Sequence, residues 1–245
     1  MAIIIFDIET GPLSEEQVLA ISGQPPELSH PGEFSPNSVK LGVMKDPAKI
    51  EAKVAEARAK HEAAVAAYEE NKAKALAEWK ESSMRSAALS AVTGQVLAVG
   101  FRASNGKVNI QMGNEQEMLA QFWGLYARAR SSSTKLAGHC IFQFDLPFMV
   151  RRSWLLGVEV PATVFDGRYF DGRVFIDTAK FWLLGQYGGE KYSLDLVDKF
   201  FGGQGKNGNG ADFARLLAED AEAAKAYLAN DLEMNFRIAQ RMGVA

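Results

Sequence analysis

The sequence predicts an α/β domain, a mixed sheet flanked by helices, with a long helical insertion after the first strand. Three observations predict it. A β-branched apolar run opens the chain at residues 2–8. A helical stripe without Gly or Pro fills residues 48–82. Beyond Gly94, short apolar runs alternate with amphipathic stretches to the C-terminus.

Residues 2–8 (Ala-Ile-Ile-Ile-Phe-Asp-Ile) fit a strand buried on both faces, as in the middle of a sheet. Residues 11–47 hold Pro12, Pro25, Pro26, Pro31, Pro36 and Pro47, which predicts a long irregular loop. From Ala48 to Ser82, larger side chains recur at Ile50, Val54, His61, Val65, Tyr68 and Trp79, every three to four residues or a multiple of that. One helix of this length would run about 50 Å at ~1.5 Å per residue. A break near Asn71 would fold it into a hairpin instead. With its flanks it forms an inserted arm over 46–84 within a single domain spanning 1–245. Balanced charges make its outer face an ordinary solvated one.

Gln95–Arg102 and Lys107–Met112 predict a hairpin around Asn105-Gly106, because that dipeptide suits the tight turn. Glu115–Arg130 is an amphipathic helix. Lys135–Cys140 is a short strand, Leu146–Leu156 a helix opening at Asp145, and Val174–Asp177 another strand. Ser193 caps a helix over 194–201, which ends at Gly202-Gly203. A Gly/Asn-rich stretch over 202–210 predicts a flexible loop. Helices over 211–217 and 221–242 close the chain.

Composition bounds the rest. The chain has 245 residues, 47% apolar and 23% charged, with net charge -3. This excludes general disorder, and mild acidity argues against bulk-charge nucleic-acid binding. No apolar run reaches the ~20 residues of a membrane span. The N-terminus lacks the basic region of a signal peptide. The single cysteine, Cys140, cannot form an intrachain disulfide or a cysteine zinc cluster. A reducing, cytoplasmic setting is expected.

Function is written in carboxylates. Asp7 and Glu9 end the first strand at spacing i,i+2 and so share one face. Like charges so placed raise each other's pKa, and a hard dication such as magnesium or manganese would resolve this. Two solvated acids at a strand end would give the same pattern. Asp145 follows a strand and opens a helix, a position that also suits a plain N-terminal cap. Tyr227 and Asp231 lie one turn apart on the last helix, at the border of an apolar stripe.

In this order, the residues resemble the DEDD superfamily of 3′–5′ exonucleases, in the subgroup with tyrosine in its third motif. The chain looks similar to a stand-alone proofreading domain of family B DNA polymerases. Phe6-Asp7-Ile8-Glu9-Thr10, Gly138-His139 to Asp145-Leu146-Pro147-Phe148, Ile176-Asp177-Thr178 and Tyr192-Ser193-Leu194-Asp195-Leu196 carry the resemblance. It covers residues 1–13 and about 90–245, and not the 14–89 region. It implies an RNase H-like fold and a two-metal hydrolysis with Mg2+ or Mn2+. Asp7 would bridge both ions, Glu9 and Asp231 would complete the first site, and Asp145 would hold the second. Tyr227 would orient the attacking water. One departure is Cys140, where the family pattern has Asn, a far stronger hydrogen-bonding group.

The implied substrate is the 3′ end of single-stranded DNA, released as nucleoside monophosphates. Thr10, Leu13, Phe144, Arg151 and Lys206 are candidate substrate contacts. Phe142, Phe144, Phe148, Phe181, Trp182 and Tyr187 supply rings near the expected cleft, as stacking surfaces or as core. Two alternatives stay open: a 3′–5′ exoribonuclease, and a non-catalytic module. In the second, the arm would dock on a polymerase, a helicase or a second copy.

Overall fold

A computed structural model describes residues 2–186 and 189–245. Tyr187 lies outside the described residues. Among them, the chain forms a five-stranded mixed sheet in the order β3-β2-β1-β4-β5. The strands are β1 (Ile3–Pro12), β2 (Gly94–Ala103), β3 (Val108–Met112), β4 (Lys135–Gly138) and β5 (Phe175–Asp177). β1 is antiparallel to β2 and parallel to β4, so it sits mid-sheet as its apolar sequence predicts. The hairpin joins β2 to β3, with Gly106 at φ 85° in its turn.

Period-two alternation sends β1 side chains to two cores. Phe6 and Ile8 pack with Leu119, Phe122 and Trp123 of α3 (Glu115–Ser132) and with Leu146 and Met149 of α4 (Asp145–Leu156). Ile3 and Ile5 pack with Leu228 and Leu232 of α8 (Ala221–Arg241). Asn114 caps α3 by accepting the Glu117 N–H at 3.0 Å. Asp220 caps α8, accepting the Glu222 and Ala223 N–H groups, each at 3.0 Å. This sheet flanked by helices on both faces, with a long helix after β1, is consistent with an RNase H-like fold.

Several elements differ from the sequence expectation. β1 runs on to Pro12, because its outer end keeps pairing with Val96 to Gly94 past a bulge at Glu9/Thr10. The 11–47 stretch contains a helix, α1 (Glu15–Ser22), whose Val18 is fully buried. A second unexpected helix, α5 (Thr178–Leu183), is capped by Asp177. α6 (Leu194–Phe200) and α7 (Phe213–Glu219) lie close to their expected bounds. The β4 strand stops at Gly138, before the expected Cys140, because Cys140 turns into the left-handed region at φ 62°.

The structure divides into two compact units. One holds residues 1–18 and 85–245 and contains the sheet. The other, Leu19–Met84, holds most of α2 (Pro47–Ala87), an unbroken helix of 41 residues with no hairpin at Asn71. Within this second unit the irregular segment packs on the helix. The His30 ring meets Tyr68 at 4.7 Å and Phe34 meets His61 at 5.6 Å. Two of the arm's periodic residues, His61 and Tyr68, are thus partly covered by their own preceding loop. No helix among the described residues is long and apolar enough to cross a membrane.

One contact sets the distance between sheet and α8. Gly100 lies opposite Asp7 in the β1–β2 register. A Cβ there would come within 2.8 Å of Leu232 and 3.0 Å of Leu228. Gly100→Val should push α8 outward and lower stability by about 1–3 kcal/mol, the usual cost of overpacking; urea unfolding followed by circular dichroism measures it. Cys140 is a second test. Asn tolerates the left-handed region better than Cys, so Cys140→Asn should raise Tm in a thermal melt.

Candidate active site

Asp7 and Glu9 leave β1 on the α8 side, and α8 presents Tyr227 and Asp231 toward them. Carboxylate oxygens of Asp7, Glu9 and Asp231 all lie within 4.8 Å of one another. Asp145, at the first turn of α4, reaches the same point from the end of β4. Its Oδ1 accepts the Ile8 N–H at 3.2 Å, and Asp7 Oδ1 accepts that same N–H at 3.2 Å. The first four predicted acids therefore converge, although they come from three elements.

The electrostatics follow from crowding. Burial, then the charge of Asp231, lifts the Asp7 carboxyl from 3.8 to about 7. Burial and the Asp7 charge hold Glu9 and Asp145 well above the usual carboxylate range. Burial raises Asp231 too, against the pull of Lys206. Burial also pushes the Tyr227 hydroxyl up to about 12, so it stays protonated at neutral pH.

Lys206 is the residue that sequence reasoning placed only in part. The sequence predicts it as a substrate contact on a flexible loop. The structure instead puts its Nζ 2.6 Å from Asp231 Oδ2, where it donates, and 3.3 Å from the Tyr227 hydroxyl oxygen, which accepts. Burial opposes its charge, but Asp231 more than compensates and raises its pKa. The loop is held rather than free. Its Lys206 N–H donates to Asp195 Oδ1 at 2.8 Å, and its Gly205 N–H to Asp198 Oδ2 at 3.0 Å. Asp198 is itself fully buried and receives Arg237 Nε at 2.7 Å. The glycines have a use here: a Cβ on Gly208 would lie 3.0 Å from the Tyr227 ring. The Asp195 and Asp198 anchors come from α6, and only the fold reveals that pairing.

The remaining candidates are dispersed. The Thr10 hydroxyl donates to the Ala88 carbonyl at 2.6 Å and is buried. Leu13 is half-buried, its N–H donating to the Thr93 carbonyl at 2.9 Å. Phe144 precedes Asp145 and packs on Phe148 at 5.6 Å. Arg151 is exposed on α4. Cys140 is no nucleophile, since burial pushes its thiol up to about 12. His139 is likewise structural, sharing hydrogen bonds with the Thr178 hydroxyl at 2.9 Å and the Tyr192 carbonyl.

The donor set suits a hard divalent cation. It consists of carboxylate oxygens alone, and Asp231 Oδ1 is buried without a hydrogen-bond partner. Such an orphaned acceptor costs free energy unless a cation faces it. Asp7, Glu9 and Asp231 could hold one ion, and Asp7 with Asp145 a second.

No protein-family model matches the sequence, and no curated protein matches it. Among solved structures, the chain is similar to the family B DNA polymerase from the hyperthermophilic archaeon Pyrobaculum calidifontis. The TM-score is 0.54 at 14% identity, over 99% of this chain and 24% of that one. The chain thus spans about a quarter of that polymerase, and the likeness is one of fold.

The raised carboxyls fix a sign. Between the ordinary value of 3.8 and about 7, the folded state holds the Asp7 proton and the unfolded state does not. Stability must therefore fall as pH rises through this window. In chelator, Tm should drop from pH 4 to pH 8, and Asp7→Asn should flatten that drop. At pH 8 the variant should melt higher than the parent, by about 2–4 °C per kcal/mol of repulsion removed. Magnesium should raise the parent's Tm and not the variant's. Equal pH dependence of the two proteins would refute the repulsion.

Proposed function

We propose that this protein is a metal-dependent 3′–5′ exonuclease that hydrolyses terminal phosphodiesters of single-stranded DNA and releases nucleoside monophosphates. The observation that carries the reading is the convergence of Asp7, Glu9 and Asp231 within 4.8 Å, with Asp145 sharing the Ile8 N–H beside Asp7. A binding module has no physical need to cluster four repelling acids.

Asp7, Glu9, Asp231 and Asp145 would hold two magnesium or manganese ions, which when bound supply an activated water and a counter-charge for the leaving oxygen. The protein's own groups do the rest. In the overall reaction a water oxygen bonds to phosphorus, the P–O3′ bond breaks, and the 3′ oxygen leaves with a proton. Tyr227 remains protonated and is therefore a donor, not a base. Its ring is pinned by Gly208, and its hydroxyl by Lys206. It is placed to orient either the water or a phosphate oxygen. Lys206 contributes a fixed positive charge where a scissile phosphate would gather negative charge.

The test is a gel assay with 5′-labelled single-stranded DNA in magnesium, manganese or chelator, beside matched RNA. A metal-dependent ladder shortening from the 3′ end is expected, abolished in Asp7→Ala and Asp231→Ala proteins that stay folded. Tyr227→Phe should lower kcat by about 10²-fold with little change in KM, as expected for lost orientation. Full activity in either aspartate variant would disprove the assigned site. Shortening of RNA alone would make the protein an exoribonuclease.

A further inference from the structure

A second feature lies on the β5 side of the turn that carries Asp145. A pocket of about 340 Å³ is lined by Phe142, Arg168, Tyr169, Phe170, Lys180 and Phe181, among others. This is at the small end of ligand sites. Phe142 and Phe170 stack at 5.7 Å with their planes 20° apart and form its wall. The Lys180 ammonium lies 4.1 Å from the Phe142 centroid and 5.1 Å from that of Tyr169. Arg168 lies 5.4 Å over the Tyr169 ring. Two of these rings face solvent, Tyr169 at 59% exposure and Phe181 at 49%. Further out, Phe165 and Trp154 continue the row, 6.3 Å apart.

Charge decides what such a surface can take. The carboxylates nearby are already engaged. Asp166 and Asp171 pair with Arg130 and Arg173. Asp177 is buried and accepts the N–H groups of Cys140, Phe142 and Ala179 at 3.0, 2.9 and 3.0 Å. Arg168 and Lys180 have no carboxylate partner among the described residues. Two exposed rings, Tyr169 and Phe181, beside cations that have no carboxylate partner suit a chain of alternating π-faces and phosphates. Phe142, in the pocket wall, lies three residues before Asp145 in the same turn.

We propose that this pocket is a subsite for unpaired nucleotides of the strand whose 3′ end the carboxylates receive. Tyr169 and Phe181 stack on bases, and Lys180 and Arg168 pair with phosphates. The inference rests on the nuclease reading for the identity of its ligand.

The experiment is fluorescence anisotropy of labelled single-stranded DNA, in chelator, on the full chain with Asp7→Ala as the common background. Tyr169→Ala should weaken binding of a 12-mer by about tenfold, the usual loss for one stacked base. Tyr169→Phe should restore it. Lys180→Ala should weaken binding and reduce the log–log salt slope by about one. A trimer should distinguish the proteins less than the 12-mer does. Unchanged 12-mer affinity in both alanine variants, or no binding by the background protein, overturns the subsite. The nuclease reading is tested separately, by whether the unmutated chain shortens DNA in metal. Shortening with no affinity loss in the variants would reject the subsite alone.

Discussion

Four carboxyl groups held together against their own repulsion are the constraint on which the remaining architecture depends. Burial drives each of Asp7, Glu9, Asp145 and Asp231 toward its neutral form; neighbouring carboxylates add to this at Asp7, Glu9 and Asp145, while Lys206 opposes it at Asp231. Nothing local would gather them. They are brought together by apolar packing: Ile3 and Ile5 under Leu228 and Leu232 on one face, Phe6 and Ile8 under α3 and α4 on the other. Fully burying one such leucine contributes about 1.5–3 kcal/mol, so the flanking cores can outweigh the electrostatic cost.

Small residues set how closely the charged elements approach. Gly100 lets α8 settle onto the sheet opposite Asp7. Gly208 lets the 202–210 loop pass over Tyr227, and that loop delivers Lys206 to Asp231. The loop is tied down at Gly205 and Lys206, where α6 reaches back to it through Asp198 and Asp195. The lysine offsets part of the negative charge and keeps Tyr227 oriented. A site of this kind is pre-organised: its groups are placed before any ligand arrives, which lowers the cost of binding one.

The second unit follows a different logic. Its helix carries few large apolar residues, and two of its rings are covered by the loop that precedes them. Tyr68 also donates to the Leu28 carbonyl at 3.3 Å. Two side chains of the arm's periodic stripe, His61 and Tyr68, are thus partly covered inside the unit. The aromatic and basic surface near β5 behaves in the opposite way, since Arg168, Tyr169 and Phe181 remain open to solvent.

The sequence by itself determined most of the elements and the faces that carry the carboxylates. The β-branched opening run, the Asn105-Gly106 turn and the i,i+4 stripes are local patterns. They translate directly into strand, hairpin and helix because their periods match backbone geometry. The acids were legible for the same reason: Asp7 with Glu9, and Tyr227 with Asp231, are pairs whose shared faces follow from spacing alone. Only the tertiary structure decided that these pairs meet, that Lys206 belongs with them, and that Cys140 adopts a left-handed turn. It also revealed α1 and α5, short helices made by burial of Val18 and by the Asp177 cap rather than by periodicity. Contacts across 20 to 140 residues depend on how layers pack. No local pattern encodes which loop passes over which ring, or which aspartate is left without a partner.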